Sequence, residues 1–484
     1  MNKTERFVKQ LTRKSDDFSG WYTEIIRKAE LADYAPMKGM MVIRPYGYAI
    51  WENIQRLMDG RIKESGHLNA YFPLFIPESF LQKEMEHLEG FAPEVAWVTH
   101  GGQEELEERL AVRPTSEAII GSMYAKWIKS WRDLPVLINQ WANIVRWEKV
   151  TRPFLRTTEF LWQEGHTAHA TFDEAQEETL KILSLYKEFV ETELAIPVLA
   201  GKKTAREKFA GALETYAIEA LMSDGKALQM GTSHNLGQHF SKVFNIRFED
   251  ENQELQYVWQ TSWGTSTRMI GAVIMCHGDD SGLRLPPQIA PVQVVVVPIS
   301  LGNWKENVLP QAKKIEAEFK KLGLRVKLDE REEFTPGWKF SEWEMRGVPL
   351  RIEIGPTDLK TNRIVSVRRD NQKKESLGLD CLEKKIPEIL EDIQKSLFEE
   401  ALKFQVENTH QVKNYEDFKE TIDTQRGFIR GHWCGDEACE DRIKEETMAT
   451  IRVIPLDQDL QASEGQCVLC QKKAGVLAYF ARAY

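Results

Sequence analysis

The spacing of apolar and polar positions divides the chain into three textures. In the first, helical periodicity from Tyr48 to Ser65 predicts an amphipathic helix, and the apolar runs "AYFPLFIP" (70–77), "LPVLINQWANIVRWE" (134–148) and "GAVIMCHG" (271–278) predict short strands. Helices and strands arrive irregularly, which favours an α+β fold built on an antiparallel sheet over a regular βαβ array. "LRLPPQIAP" (283–291), with three prolines, reads as a linker. The second texture opens on the continuously apolar "VQVVVVPI" (292–299), expected to be a buried strand. A helical pattern over Lys305–Leu322, strand-like "LRVKLD", "PLRIEIG" and "RIVSVRR", and a helix over Lys384–Phe398 follow, which together make a compact α/β domain. The third begins near Glu400 and ends "VLAYFARAY". The expected domains are 1–286, 287–399 and 400–484, with no internal repeat.

Composition narrows the class. A chain of 484 residues, 42% hydrophobic and 29% charged, suits two or three ordinary globular domains rather than disorder. Its net charge of -10 means that any polyanionic partner must be gripped by local basic patches against the field of the whole molecule. The N-terminus is charged throughout, and no apolar run reaches the roughly 20 residues of a membrane span, so the expectation is a cytoplasmic protein with no membrane partner. Cys276 and Cys381 stand alone, whereas Cys434, Cys439, Cys467 and Cys470 form a C-x4-C and a C-x2-C pair with 27 residues between them. In a reducing compartment such a quartet reads as a metal site, and four thiolates suit a closed, structural tetrahedral Zn2+.

The stretch "VRWEKVTRPFLRTTEFLWQEGH" (145–166) carries three arginines, three glutamates, two phenylalanines and two tryptophans. A core strand would not hold the charges, and a solvated face would not hold the aromatics. The mixture suggests a binding floor. Arg146 and Glu148, spaced R-x-E, are expected on one sheet face; Arg156, Phe160 and Glu164 follow as R-x3-F-x3-E.

These residues resemble motif 2 of the class II aminoacyl-tRNA synthetases. "RPTSEAII" (113–120), "EKFAGA" (207–212), "GTSHNLGQHFSK" (231–242), "TSWGTSTRMIGA" (261–272), "HGDDSGLRLPP" (277–287) and "TPGWKFSEWEMRGVPLRIEIGP" (335–356) extend the likeness over almost the whole chain to the prolyl-tRNA synthetase family, in its archaeal and eukaryotic-like form. The resemblance implies an α+β class II catalytic core, an α/β anticodon-binding domain and a small zinc-binding C-terminal domain. It implies ligation of L-proline to tRNA(Pro) at the expense of ATP with Mg2+. It makes Arg146, Arg156 and Arg268 the catalytic cations. Thr115 and Glu117 would hold the imino acid's ammonium together with Arg146 at its carboxylate, while Trp162, His166, Phe209 and His234 wall its ring. Arg146, Glu148, Arg156, Phe160, Gln229, Thr232 and Arg268 would bind ATP. "GTSTR" lacks the glycine-rich repeat of the general motif 3, as the prolyl branch does.

The same resemblance gives tRNA contacts to Glu344, Arg351 and Asp358, to which the basic run "DLKTNRIVSVRRDNQKK" (358–374) adds Arg368 and Arg369. It places Pro73 and Pro77 near a homodimer interface and puts cysteines at the positions of the quartet. Bacterial-type relatives place an editing domain between motifs 2 and 3. Here only 103 residues separate Glu164 from Arg268, so no editing insertion is expected. The rival readings are another class IIa synthetase, for threonine or glycine, and a non-catalytic RNA-binding paralogue. Such a paralogue would be expected to have lost Arg146, Glu148 or Arg268, and all three are present.

Overall fold

A computed structural model describes residues 11–87, 94–457 and 465–484. Its largest sheet has eleven strands, in the order Thr409–Gln411, Phe428–Trp433, Val476–Ala481, Thr450–Pro455, Val198–Lys202, Glu214–Leu221, Ala227–Gly237, Trp259–Ser266, Glu159–His169, Val136–Val145, Leu68–Asn69. From Val198–Lys202 to Val136–Val145 every neighbouring pair is antiparallel, as the irregular element order predicts. Helix Phe172–Glu193 covers one face of these strands. Thr171 and Glu174 cap it reciprocally, and it buries Ile182, Tyr186, Phe189 and Val190. Helix Pro45–Glu64 starts on its proline and buries Ile50, Ile54, Met58 and Ile62 at helical spacing in the same core.

Two local expectations change. "GAVIMCHG" belongs to helix Arg268–His277, not to a strand; Met269 through Met275 are all buried, so the run is apolar on every side and shows no period. Arg146 and Glu148 are not on a strand, since the strand ends at Val145 and the Glu148 N–H donates to the Arg146 carbonyl at 2.8 Å in the following turn. "AYFPLFIP" contributes strand Phe75–Pro77, with Leu68–Asn69 just before it.

The second region is a separate five-stranded sheet, ordered Val326–Leu328, Val294–Pro298, Leu350–Ile354, Arg363–Arg368, Lys374–Gly378, parallel across the first three and antiparallel beyond. Helix Leu309–Lys321 and the long helix Leu382–Glu407 close its core over Val294, Ile352, Phe319 and Ile386. The proline-rich 283–291 segment has no regular structure, as expected, yet Leu283, Leu285, Ile289 and Ala290 are packed into the first core.

The third region has its own core around Phe418, Ile429, Ile451 and Phe480. Its sheet is nonetheless continuous with the first: Ile454 pairs with Lys202 and Pro455 with Gly201. A Cβ at Gly201 would stand 2.3 Å from the Ile454 carbonyl oxygen, so only glycine lets the strands approach this closely. Among the described residues no helix is long and apolar enough to cross a membrane.

Candidate active site

The sheet face beside helix Glu117–Trp127 floors a cavity of ≈ 290 Å³. Eleven of the expected residues line it: Thr115, Glu117, Arg146, Phe160, Trp162, His166, Phe209, Gln229, Thr232, His234 and Arg268. They come from six stretches of chain and meet because antiparallel register sets Trp162 against Ser266 and His166 against Ser262 on neighbouring strands. Glu148 and Arg156 are not in the lining. They pair with each other at 3.9 Å on the motif 2 loop.

One end of the cavity is a buried acidic pocket. Glu117 begins its helix and accepts a hydrogen bond from the Thr115 hydroxyl. Ser116, the residue before the helix, does not cap it; its hydroxyl donates to Glu164, whose carboxylate also accepts from Gln140 at 2.8 Å and lies 3.1 Å from His166 Nε2. Burial lowers the His166 pKa, but the Glu164 hydrogen bond and the charges of Glu117 and Glu164 outweigh it and hold the pKa above its ordinary value. His234 is the opposite case: burial, reinforced by the charge of His166, pushes it down to about 3, so it is a neutral ring. Its Nδ1 lies 2.9 Å from the Thr215 hydroxyl and its ring 4.8 Å from that of Phe209. The two histidines of one pocket are thus shifted in opposite directions, His166 upward by its acidic neighbours and His234 downward to a neutral ring.

The other end is cationic and aromatic. Arg146 donates from Nε to the Pro114 carbonyl at 3.1 Å, and its guanidinium lies 5.7 Å from the Phe160 ring and 5.8 Å from the Trp162 ring. Burial lowers its pKa, against the opposing charges of Glu117, Glu148 and Glu164. Arg268 opens helix Arg268–His277 and is held by main-chain carbonyls, Leu155 at 3.2 Å and Gln229 at 3.3 Å. Burial, aided by the charge of Arg156, pushes it down to about 10, which leaves it cationic at neutral pH. Among the described residues no carboxylate forms an ion pair with either guanidinium, which leaves both available to an anion. The Trp162 indole N–H finds no hydrogen-bond partner among the described residues.

The sequence reading missed Ser116, Gln140 and Thr215 as supports, and Glu207 and Trp263 as walls; Glu164, part of the R-x3-F-x3-E spacing, had no role assigned and here organises Ser116, Gln140 and His166. Gly165 makes room for Trp263 on the neighbouring strand, since a Cβ there would lie 2.1 Å from the indole ring.

On the second region, Glu344, Arg351, Arg368 and Arg369 border one small depression, while Asp358 lies apart and caps helix Pro356–Lys360. Arg351 stacks 4.2 Å over Phe340. Arg369 is buried and makes two hydrogen bonds to Asp279 of the first region, at 2.8 and 2.6 Å, and Arg368 is paired with Asp370 and Asp392. Both arginines are therefore largely neutralised by the protein's own acids.

In the third region the sulfurs of Cys434, Cys439, Cys467 and Cys470 lie within 4.8 Å of one another, and Cys434 and Cys470 are 3.8 Å apart. Tetrahedral Zn–S bonds of about 2.3 Å place sulfurs about 3.8 Å apart, so the donor set fits zinc.

The antiparallel sheet that presents two arginines and an aromatic pair beside a buried acid belongs to a class II tRNA synthetase core. Residues 97–277 match the family described as tRNA synthetase class II core domain (G, H, P, S and T), 293–389 the anticodon binding domain, and 415–484 the C-terminal part of prolyl-tRNA synthetase. The chain is 59% identical to a proline–tRNA ligase of Natranaerobius thermophilus over 99% of both chains. It is 56% identical to that of Alkaliphilus oremlandii over 100% of this chain and 99% of the other. It superposes with a TM-score of 0.93 on the crystal structure of prolyl-tRNA synthetase from Cryptosporidium parvum complexed with halofuginone and AMPPNP, at 44% identity, covering 98% of this chain and 99% of that one. The chain belongs to the prolyl-tRNA synthetase family.

Proposed function

We propose that the chain is a proline–tRNA ligase of the archaeal and eukaryotic-like domain arrangement, acting in the cytoplasm as a homodimer. The observation that carries the reading is the position of Arg146, between the Thr115–Glu117 pocket and the Phe160–Trp162 pair. Proline's ammonium sits against Glu117 and Thr115, and its ring against Trp162, Phe209 and the neutral His234. Its carboxylate reaches Arg146. ATP lies between Phe160 and Arg268, with Gln229 and Thr232 beside it and Glu148 and Arg156 closing from the motif 2 loop. A guanidinium holds two oxygens in fixed geometry, so Arg146 aligns the carboxylate with the α-phosphate. The carboxylate oxygen attacks the α-phosphorus and pyrophosphate leaves. The tRNA terminal ribose hydroxyl then attacks the acyl carbonyl and releases AMP. Charge neutralisation by Arg146, Arg156 and Arg268, with Mg2+ accompanying ATP, supplies the catalysis without a covalent enzyme intermediate.

The two proline–tRNA ligases named above are bacterial and the solved structure is from Cryptosporidium parvum, so the archaeal and eukaryotic-like form refers to domain arrangement; the match of 415–484 to the family's C-terminal part supports it. Glu344, Arg351 and Asp358 read the anticodon, with Arg368 beside them. Arg369 instead fastens the anticodon-binding domain to the core through Asp279. The exposed edge strand Leu68–Asn69 and the neighbouring Tyr71, both Leu68 and Tyr71 72% exposed, support a dimer face near Pro73. An amino-acid panel in ATP–pyrophosphate exchange tests the reading: proline alone should drive strong exchange, and preference for threonine or glycine, or no exchange at all, overturns it.

Editing gives a separate test. Proline offers no side-chain hydrogen bond for selection, and a missing methylene gives only about 10- to 200-fold discrimination, so alanine and cysteine should be activated weakly. The 103 residues between Glu164 and Arg268 supply core strands and the helix behind them, which supports the absence of an editing insertion. Purified protein is expected to leave Ala-tRNA(Pro) intact at the spontaneous rate, and hydrolysis well above it would contradict the reading.

A further inference from the structure

The wall of the pocket that carries Glu207 and Phe209 is not held by the first region alone. Segment Lys203–Leu213 joins strands Val198–Lys202 and Glu214–Leu221, and helix Glu437–Thr447 of the third region lies against its start. The Thr204 hydroxyl is the joint. It donates to Glu440 Oε1 at 2.7 Å and accepts from the Glu207 N–H at 3.3 Å, so one buried oxygen ties the helix to the backbone that turns into the cavity. Thr204 and Glu440 are both 3% exposed, which excludes water as a ready substitute for either partner.

Three further links run the same way. Arg206 pairs with Asp441 at 2.7 Å and Glu437 at 3.2 Å, and Lys444 lies 3.6 Å from Glu207. Behind them, Lys203 and Arg452 converge on fully buried Glu219 at 2.7 and 2.9 Å, which welds the third region's strand to the floor of the site. Beyond Glu207, the Phe209 N–H donates to the Thr215 hydroxyl at 3.0 Å, the same hydroxyl that faces His234. A continuous set of contacts thus leads from Glu440 to the Phe209–His234 ring pair.

We propose that Glu440 is a positioning residue for the amino-acid pocket: through Thr204 it fixes the turn that presents Glu207 and Phe209, so the C-terminal region sets how tightly the amino acid is held. This rests on the reading of that pocket as the proline site. The coupling acts on the amino acid and not on the nucleotide, because the turn itself carries Glu207 and Phe209, whereas Arg268 is held by the Leu155 and Gln229 carbonyls, outside the turn.

The test uses the full-length protein and the variants Glu440→Ala, Thr204→Val, Glu440→Gln and the Ala/Val double. Loss of the single hydrogen bond should raise KM for proline about five- to tenfold, with KM for ATP and kcat changed less than about twofold. Glu440→Gln keeps an acceptor and should stay within about twofold of the parent. The double variant should equal Thr204→Val, because the valine already removes the Glu440 hydrogen bond along with the one from the Glu207 N–H. Trypsin reports on the turn without any substrate: cleavage after Lys203, Arg206 or Lys208 should be faster in Glu440→Ala and Thr204→Val. Unchanged proline KM together with unchanged cleavage overturns the proposal, as does an equal rise in both KM values with a lowered melting temperature. A parent protein that activates no proline overturns the functional reading instead, and the cleavage comparison still decides whether Glu440 holds the turn.

Discussion

Arg146→Ala is expected to reduce proline-dependent ATP–pyrophosphate exchange by about 10³-fold or more while the protein stays folded. Removing a single preorganised donor from a site of developing charge costs about 10²- to 10³-fold, and Arg146 is assigned to both the carboxylate and the α-phosphate. Its structural attachments are few: one hydrogen bond to the Pro114 carbonyl and the two ring contacts to Phe160 and Trp162. Their loss should cost about 1–2 kcal/mol, because the freed carbonyl faces a cavity that water can enter. Arg146→Lys retains a charge but not the two-oxygen fork, so it should recover only part of the rate. Exchange kinetics with a thermal melt on the same samples checks both halves. Near-normal exchange by folded Arg146→Ala protein would remove the residue from the chemistry.

Much of this site was legible because its residue types conflict with their neighbours. Charges and aromatics interleaved through 145–166 fit neither core nor surface, and eleven of the residues assigned around them do line one cavity. What escaped were groups whose roles depend on register between distant strands. Gln140 meets Glu164 only because strands Val136–Val145 and Glu159–His169 pair in that alignment, and nothing local to either marks them as partners. Arg369 illustrates the reverse error of a charge run. "SVRR" looks like a phosphate track, but the second arginine turns inward to Asp279, a partner 90 positions away. The fold divides similarly. Helix Pro45–Glu64 was readable from its apolar stripe, whereas helix Arg268–His277 is buried on all sides and so presents no stripe. The continuity of the first and third regions in one sheet had no sequence signal beyond Gly201, whose missing side chain is meaningful only once Ile454 is seen against it.

Cys470→Ser is expected to empty a metal site and to unfold the C-terminal region locally. The four sulfurs are already gathered within 4.8 Å of one another, the arrangement that a tetrahedral cation bound by four thiolates requires. Structural zinc contributes about 10–16 kcal/mol of apparent binding free energy at neutral pH, comparable to the whole stability of a typical domain of about 5–15 kcal/mol. The core around Phe418, Ile429 and Phe480 is small, so it should not survive the loss of a ligand. Parent protein purified without chelator should contain one zinc per chain, and the serine variant much less. Hydrogen exchange should then show strands Phe428–Trp433 and Val476–Ala481 losing protection while Val136–Val145 and Glu159–His169, six and more strands away, keep theirs. Strand Val198–Lys202 is the informative boundary. It pairs on one side with Glu214–Leu221 and on the other with Thr450–Pro455, so it should lose protection only on the Gly201–Lys202 edge. Absence of zinc from the parent protein would refute the metal site, and unchanged exchange in a metal-free serine variant would show that the region folds without it.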